Sequence, residues 1–171
     1  MFKKVVWFTG LSGVGKSTIS DEIFKKLKRK KYKVFKIDGD NFRRKKKYRK
    51  KFTKKVIYKN NLEIIKKIKS IRNRYDYILV AVISPLSGTR KYAKKLFKEL
   101  YYEIFLHCSI KTLKKRDTKG LYKKTDMKIL KNLIGYKSKI NYEKSNYKVL
   151  KIKTDKYSIA KSISKTLKYI L

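Results

Sequence analysis

Apolar residues along this chain fall into two alternating rhythms, and together the rhythms predict its elements. Residues 3–9 hold Val5, Val6, Trp7 and Phe8 in an unbroken run, which reads as a buried strand. Residues 17–30 switch to helical spacing, with Ile19, Ile23, Phe24 and Leu27 on one face. The alternation then repeats. Residues 34–37 are a short apolar run, and 56–72 set Ile57, Leu62, Ile64, Ile65, Ile68 and Ile71 on one helical stripe. Residues 77–83 are the most apolar run, expected to be the central strand and stopped by Pro85. A helix over 89–100, a strand over 102–108, a short helix over 110–116, a strand over 146–152 and a closing helix over 157–171 complete the series. Five strands alternating with helices predict a layered α/β fold with a mainly parallel sheet.

The junction between the first strand and the first helix carries the chemistry. Gly10, Leu11, Ser12, Gly13, Val14, Gly15, Lys16, Ser17 and Thr18 fit G-x-x-x-x-G-K-S/T, in the strand–loop–helix setting that pattern requires. Glycines let the backbone turn its N–H groups inward. Those amides and the positive end of the helix dipole cradle phosphate oxygens, Lys16 reaches the terminal phosphates, and the Ser17 hydroxyl is a ligand for Mg²⁺. A glycine turn that merely joins strand to helix would explain neither the Lys16–Ser17 pair nor its position. The expected fold is therefore of the P-loop NTPase type, with three layers, and the expected cofactors are ATP and Mg²⁺.

Length and charge add bounds. A chain of 171 residues suits one domain over 1–171, and neither a repeat nor a linker is visible. A net charge of +39 repels itself and attracts any polyanion, so nonspecific polyanion binding is expected. Yet 43 of the 51 basic residues are lysines spread over nearly every segment, beside many Ile, Asn and Tyr. All four types have A/T-rich codons, so genome composition competes with function as the source of the excess. One cysteine, Cys108, excludes an intramolecular disulfide and points to a reducing compartment. The uncharged run 5–14 could pass for a signal peptide, but cleavage there would destroy the phosphate loop, and no later apolar run approaches the ~20 residues of a membrane helix. The expectation is a soluble cytoplasmic protein.

Further along, Asp38-Gly39-Asp40 puts two carboxylates at the tip of the second strand. Ligands of open parallel sheets bind at the carboxyl ends of strands, where the phosphate loop also lies, so both carboxylates face the phosphates. Ten of the residues 41–55 are Lys or Arg, interleaved with Phe42, Tyr48 and Phe52, a mixture that can grip a nucleotide or simply form a solvated loop. Ser84-Pro85 ends the third strand on the same sheet edge. His107, alone, reads as structural. Residues 117–124, basic and glycine-containing, suit a mobile lid.

Four segments in order, Val6-Trp7-Phe8-Thr9-Gly10-Leu11-Ser12-Gly13, Asp38-Gly39-Asp40-Asn41, Ile83-Ser84-Pro85 and Arg116-Asp117-Thr118-Lys119-Gly120-Leu121-Tyr122-Lys123, resemble the motifs of the adenylylsulfate kinase (APS kinase) family of P-loop kinases. Only the first is generic to phosphate-loop kinases; together they are specific. The resemblance implies an ATP- and Mg²⁺-dependent kinase of sulfate assimilation, usually dimeric, which phosphorylates the ribose 3′-hydroxyl of adenosine 5′-phosphosulfate to give PAPS. It makes Lys16, Asp40 and Ser84 the catalytic residues, with Asp40 orienting or deprotonating the acceptor hydroxyl. Asp38, Arg43, Asn60, Ile83 and Lys119 are implied at the acceptor, and Phe52 is implied to stack on its base. Ser84 matches a serine to which a phosphoserine intermediate is ascribed, although in-line transfer needs positioning and charge neutralisation more than covalent relay.

The chain also departs from the family. Val56-Ile57-Tyr58-Lys59-Asn60-Asn61-Leu62-Glu63 stands where the family has Asp-Arg-x-x-Asn-Ile-Arg-Arg, so arginines are lost at Ile57 and Leu62. Leu133-Ile134-Gly135 replaces Phe-Thr-Gly, which leaves Tyr136 as the candidate second stacking aromatic. These changes touch the acceptor and not ATP. Two other readings therefore stay open: a kinase of the same build acting on another nucleotide, as the cytidine diphosphoramidate kinases of capsule synthesis do, and a nucleic-acid-binding protein with a vestigial phosphate loop.

Overall fold

A computed structural model of the chain describes residues 3–44 and 53–171. Its sheet holds β1 (Lys4–Thr9), β2 (Val34–Asp38), β3 (Tyr77–Ala81), β4 (Tyr101–His107) and β5 (Leu150–Lys153), all parallel, in the order β2-β3-β1-β4-β5. The centre is thus β1 and not the 77–83 run. Both strands are buried along their whole length, so hydrophobicity alone does not rank them. What ranks them is connectivity: Val5 pairs with Ile78 on one side and with Tyr101 on the other, so the strand order reverses beside β1. Ligands of such sheets bind at that reversal, and the phosphate loop leaves the carboxyl end of β1.

Period-two alternation in β1 feeds two cores. Val6 and Phe8 join Ile19, Ile23 and Leu27 of α1 (Lys16–Arg29) and Ile163 and Ile170 of α7 (Ile159–Ile170). Val5 and Trp7 join Ile64, Ile65 and Ile68 of α3 (Lys54–Ile71) and Ala93 and Phe97 of α4 (Ser87–Phe97). Each buried side chain of this size contributes about 1.5–3 kcal/mol, so the two clusters bolt a helical layer to each face.

Three local differences bear on the site. Residues 39–44, which read as a turn entering a basic loop, form α2 (Gly39–Arg44), because Asp38 Oδ1 accepts the N–H groups of Asp40 (3.0 Å) and Asn41 (3.1 Å) and caps the turn. β3 stops at Ala81, and the chain runs on irregularly to Ser84, whose φ of +42° lies in the left-handed region. The segment that suits a lid is partly helical. After α5 (Ile110–Arg116), the Asp117 carboxylate accepts from the amides of Tyr122 (3.1 Å) and Lys123 (2.9 Å) and starts α6 (Leu121–Asp126). Among the described residues no helix is long and apolar enough to cross a membrane.

Candidate active site

The phosphate loop is shaped from below and open from above. Gly10 has φ +138°, and a Cβ there would meet the Leu106 carbonyl oxygen at 2.2 Å, so only glycine lets the loop lie this close to β4. Val14 is buried in the core and Leu11 packs against it, so these side chains brace the loop and do not reach ligand. Ser12, Gly13, Gly15, Lys16, Ser17 and Thr18 line a cleft of about 530 Å³, within the range of small-molecule sites. Gly15 caps α1, whose first amides open into the cleft. The Lys16 ammonium donates to the carbonyls of Gly10 (3.0 Å) and Leu11 (2.8 Å). Desolvation lowers its pKa to about 8, although the nearby Asp40 and Asp38 charges oppose the shift.

Opposite the loop stand the two carboxylates. Ser17 Oγ donates to Asp38 Oδ2 (3.0 Å), while the other oxygen of Asp38 caps α2. Asp40, in the first turn of α2, accepts from Arg43 (3.2 Å) and from Lys119 (2.6 Å). Partial burial pushes its pKa up, but the hydrogen bond and charge of Lys119, with Arg43 and Lys16, outweigh burial and hold it below the usual carboxylate range. Gly39 lets the start of α2 lie against the end of β3: a Cβ there would meet Val82 Cγ2 at 2.7 Å. Lys119 thus crosses from the 117–120 turn to the far wall, and the expected cluster of Lys16, Asp38, Asp40, Arg43 and Lys119 converges at one mouth.

One end of the cleft is walled by α3 and the segment after β3. Asn60, Ile83 and Ser84 line it as the resemblance implies. Asn60 is 6% exposed, and its Oδ1 is buried with no hydrogen-bond partner among the described residues. A buried acceptor left unpaired costs about 1–3 kcal/mol, so it awaits a donor. Ser84 is 1% exposed, and its hydroxyl accepts from Asn61 Nδ2 (3.0 Å) beside Thr89. Ile57 packs with Leu86, Ile134 and Ile140, so the place of the missing arginine is an apolar wall. Leu62 packs in the core on the α3 side of the sheet. Tyr136 lies against Tyr122 and donates to Asp126 Oδ1 (2.5 Å), so it does not line the cleft as a second stacking aromatic. Phe52, with 45–51 of the basic run, lies outside the described residues.

The opposite end was not singled out in the sequence. Arg116, Thr154, Tyr157 and Ile159 line it, and the Arg116 guanidinium donates to the Thr154 carbonyl (2.7 Å). The carboxyl-end rule applied to β5 would have found the 154–159 segment; Arg116 shows no signal beyond standing at the head of the Arg-Asp-x-Lys-Gly motif. His107 stands edge-on to Phe105, away from the cleft.

Comparison with known proteins gives a consistent picture. The family model described as adenylylsulphate kinase matches residues 3–153. A probable adenylyl-sulfate kinase of Archaeoglobus fulgidus is 32% identical over 152 residues, covering 89% of this chain and 96% of that protein. The adenylyl-sulfate kinase of Clostridium acetobutylicum is 32% identical over 170 residues, covering 97% and 82%. Among solved structures, the Mycobacterium tuberculosis APS kinase CysC in complex with AMPPNP and APS superposes with a TM-score of 0.84 at 26% identity, covering 98% of this chain and 96% of that one.

Proposed function

This chain belongs to the adenylylsulphate kinase family, and we propose that it transfers the terminal phosphoryl group of ATP to the 3′-hydroxyl of adenosine 5′-phosphosulfate. The observation that carries this reading is the position of Asp40. It lines the same cleft as Lys16, Asn60 and Ser84, and its charge opposes the lowering of the Lys16 pKa. A hydroxyl bound at the Asn60–Ser84 end would meet both a proton acceptor and the phosphoryl group.

In this reading the triphosphate lies on the loop amides and the first turn of α1, with Lys16 turning from the loop carbonyls to the terminal phosphate. The flat guanidinium of Arg116 and the apolar faces of Tyr157 and Ile159 suit the ATP base. The acceptor hydroxyl oxygen attacks the γ-phosphorus, the bond to the ADP oxygen breaks, and the hydroxyl proton passes to Asp40. Because Asp40 is anionic and a weak base, its main work is to orient that hydroxyl. The donor set also fits Mg²⁺: Ser17 Oγ and the Asp38 carboxylate are hard oxygen groups 3.0 Å apart at the mouth of the loop. Ser17 would hold the ion with Asp38 behind it, and a bound ion would neutralise charge on the phosphates. Asn60 Oδ1, without a donor among the described residues, supports an acceptor that brings one.

The test is a single-turnover assay with ATP, Mg²⁺ and adenylylsulfate, which should yield one ADP and one 3′-phosphorylated product. Asp40→Asn should lose about 10²- to 10⁴-fold in rate while retaining ATP affinity. One observation favours a second acceptor: the apolar wall at Ile57 offers no cation to an anionic group. If a cytidine nucleotide is phosphorylated and adenylylsulfate is not, the acceptor assignment is wrong and the kinase reading survives.

A further inference from the structure

Arg90 of α4 is 0% exposed, yet it carries a full positive charge and belongs to no motif read from the sequence. Its fork is spent on four residues of three segments, the Ser84 turn, β4 and residues 142–145. One terminal nitrogen donates to the Ser84 carbonyl and the other to the Glu143 carbonyl, while Nε donates to Glu103 Oε1 (3.2 Å) and Ser145 Oγ (3.3 Å). The Tyr142 ring lies 4.8 Å from the guanidinium. The Tyr142 hydroxyl is 3.0 Å from Thr9 Oγ1, which donates to the Ile83 carbonyl (2.6 Å). Segment 142–145 is also tied directly to the turn. Glu143 N donates to the Pro85 carbonyl (2.9 Å), and its carboxylate accepts from Ser87 N (2.7 Å) and Ser87 Oγ (2.8 Å).

All of this converges on a turn that needs holding. Ser84 sits at φ +42°, where a residue with a Cβ persists only if its surroundings enforce it. β3 has ended at Ala81, and the backbone bonds that follow, from Val82 N to the Phe8 carbonyl (3.1 Å) and from Gly10 N to the Ile83 carbonyl (3.4 Å), stop one residue short of Ser84. Stability alone does not call for an arginine here, because buried ion pairs can often be replaced by neutral groups of similar size without loss. A planar fork that reaches two carbonyls and a carboxylate at once is what a lysine or an apolar residue cannot reproduce.

We propose that Arg90 is a positioning residue for the acceptor end of the cleft: by gripping the Ser84 carbonyl and bracing segment 142–145, it fixes the turn that presents Ile83 and Ser84 to the acceptor. Arg90 touches neither substrate. This rests on the reading that the Asn60–Ser84 end holds the acceptor.

The test uses the full chain and a kinetic split. Arg90→Met alone leaves Glu103 buried without its cation and can fail to fold. The informative variant is Arg90→Met/Glu103→Gln, which removes both charges: the glutamine oxygen still accepts from Tyr101 and Tyr147, and its amide N–H can donate to the Ser145 hydroxyl. Arg90→Lys, which keeps the charge but not the fork, is the second. Each folded variant should lose about 10- to 100-fold in kcat/KM for adenylylsulfate, the scale of a roughly 1 Å misplacement, while KM for ATP stays near wild type. Glu103→Gln strands the buried guanidinium and should cost stability, but because it leaves the grip on Ser84, the folded protein should stay near wild type in kcat/KM for both substrates. A folded double variant with unchanged kcat/KM for the acceptor, or one whose loss falls equally on ATP, overturns the proposal. If the wild type does not phosphorylate adenylylsulfate, the acceptor reading alone has failed. The role of Arg90 is then decided by amide exchange over residues 83–89, which accelerates in the double variant if the fork holds the turn and is unchanged if it does not.

Discussion

At the scale of single residues, the site is governed by where charge is allowed to be. Lys16 is held by two loop carbonyls in a place that lowers its pKa to about 8, so the free protein keeps its phosphate-binding cation only up to mildly alkaline pH. The charged form is the one that binds ATP, and the depressed pKa means that this form is lost as pH rises through about 8, well before an ordinary lysine would titrate. kcat/KM for ATP reports the free enzyme, so it should fall about tenfold per unit above that pH. A profile flat to about pH 10 would show that Lys16 is solvated and not enclosed by the loop. Folding shows the opposite trend: the cost of burying the cation fades between the folded pKa and the unfolded 10.5, so this one group adds stability as pH rises.

Among elements, the contact between the 117–120 turn and α2 is the one that couples two parts of the site. Lys119 and Asp40 are both about half exposed, so their pairing is screened and adds little to stability, but it sets two titrations. It lowers the Asp40 pKa and also, by repulsion, that of Lys16. Lys119→Met should therefore raise both. For Asp40, a raised pKa means that the anion is lost at a higher pH on acidification; for Lys16, the cation survives to a higher pH on alkalinisation. Both limbs of the pH–kcat/KM profile should move upward together. If neither limb moves, the turn does not rest on Asp40 in solution. The α6 end of the same unit has contacts of its own: Lys114, Lys137 and the Tyr136 hydroxyl hold the Asp126 carboxyl far below its usual range.

For the whole molecule, +39 is the dominant electrostatic fact. Twelve acidic residues cannot neutralise fifty-one basic ones, so the folded state repels itself and salt should relieve the repulsion. The screening length shrinks from ~10 Å at 0.1 M to ~3 Å at 1 M. The thermal midpoint should accordingly rise when sodium chloride is increased from about 0.05 to about 0.5 M. A midpoint that falls would mean that surface pairs such as Lys36–Asp21 and Lys25–Glu22 outweigh the net repulsion.

What the sequence determined by itself is whatever depends on local spacing. The alternation of strand and helix, the phosphate loop and the pair Asp38 and Asp40 are chemical identities at fixed short separations, and backbone geometry turns such separations directly into shape. Only the tertiary structure decided the rest. Which of two fully buried strands is central, that Asp40 meets Lys119 seventy-nine positions away, that Asn60 Oδ1 finds no donor among the described residues, and that Arg90 joins Ser84 to Glu143 all follow from which distant segments meet. Periodicity says which face of an element is buried but not what it is buried against. Arg90, which belongs to no motif of the sequence, is, once folded, enclosed by three segments that its fork satisfies together.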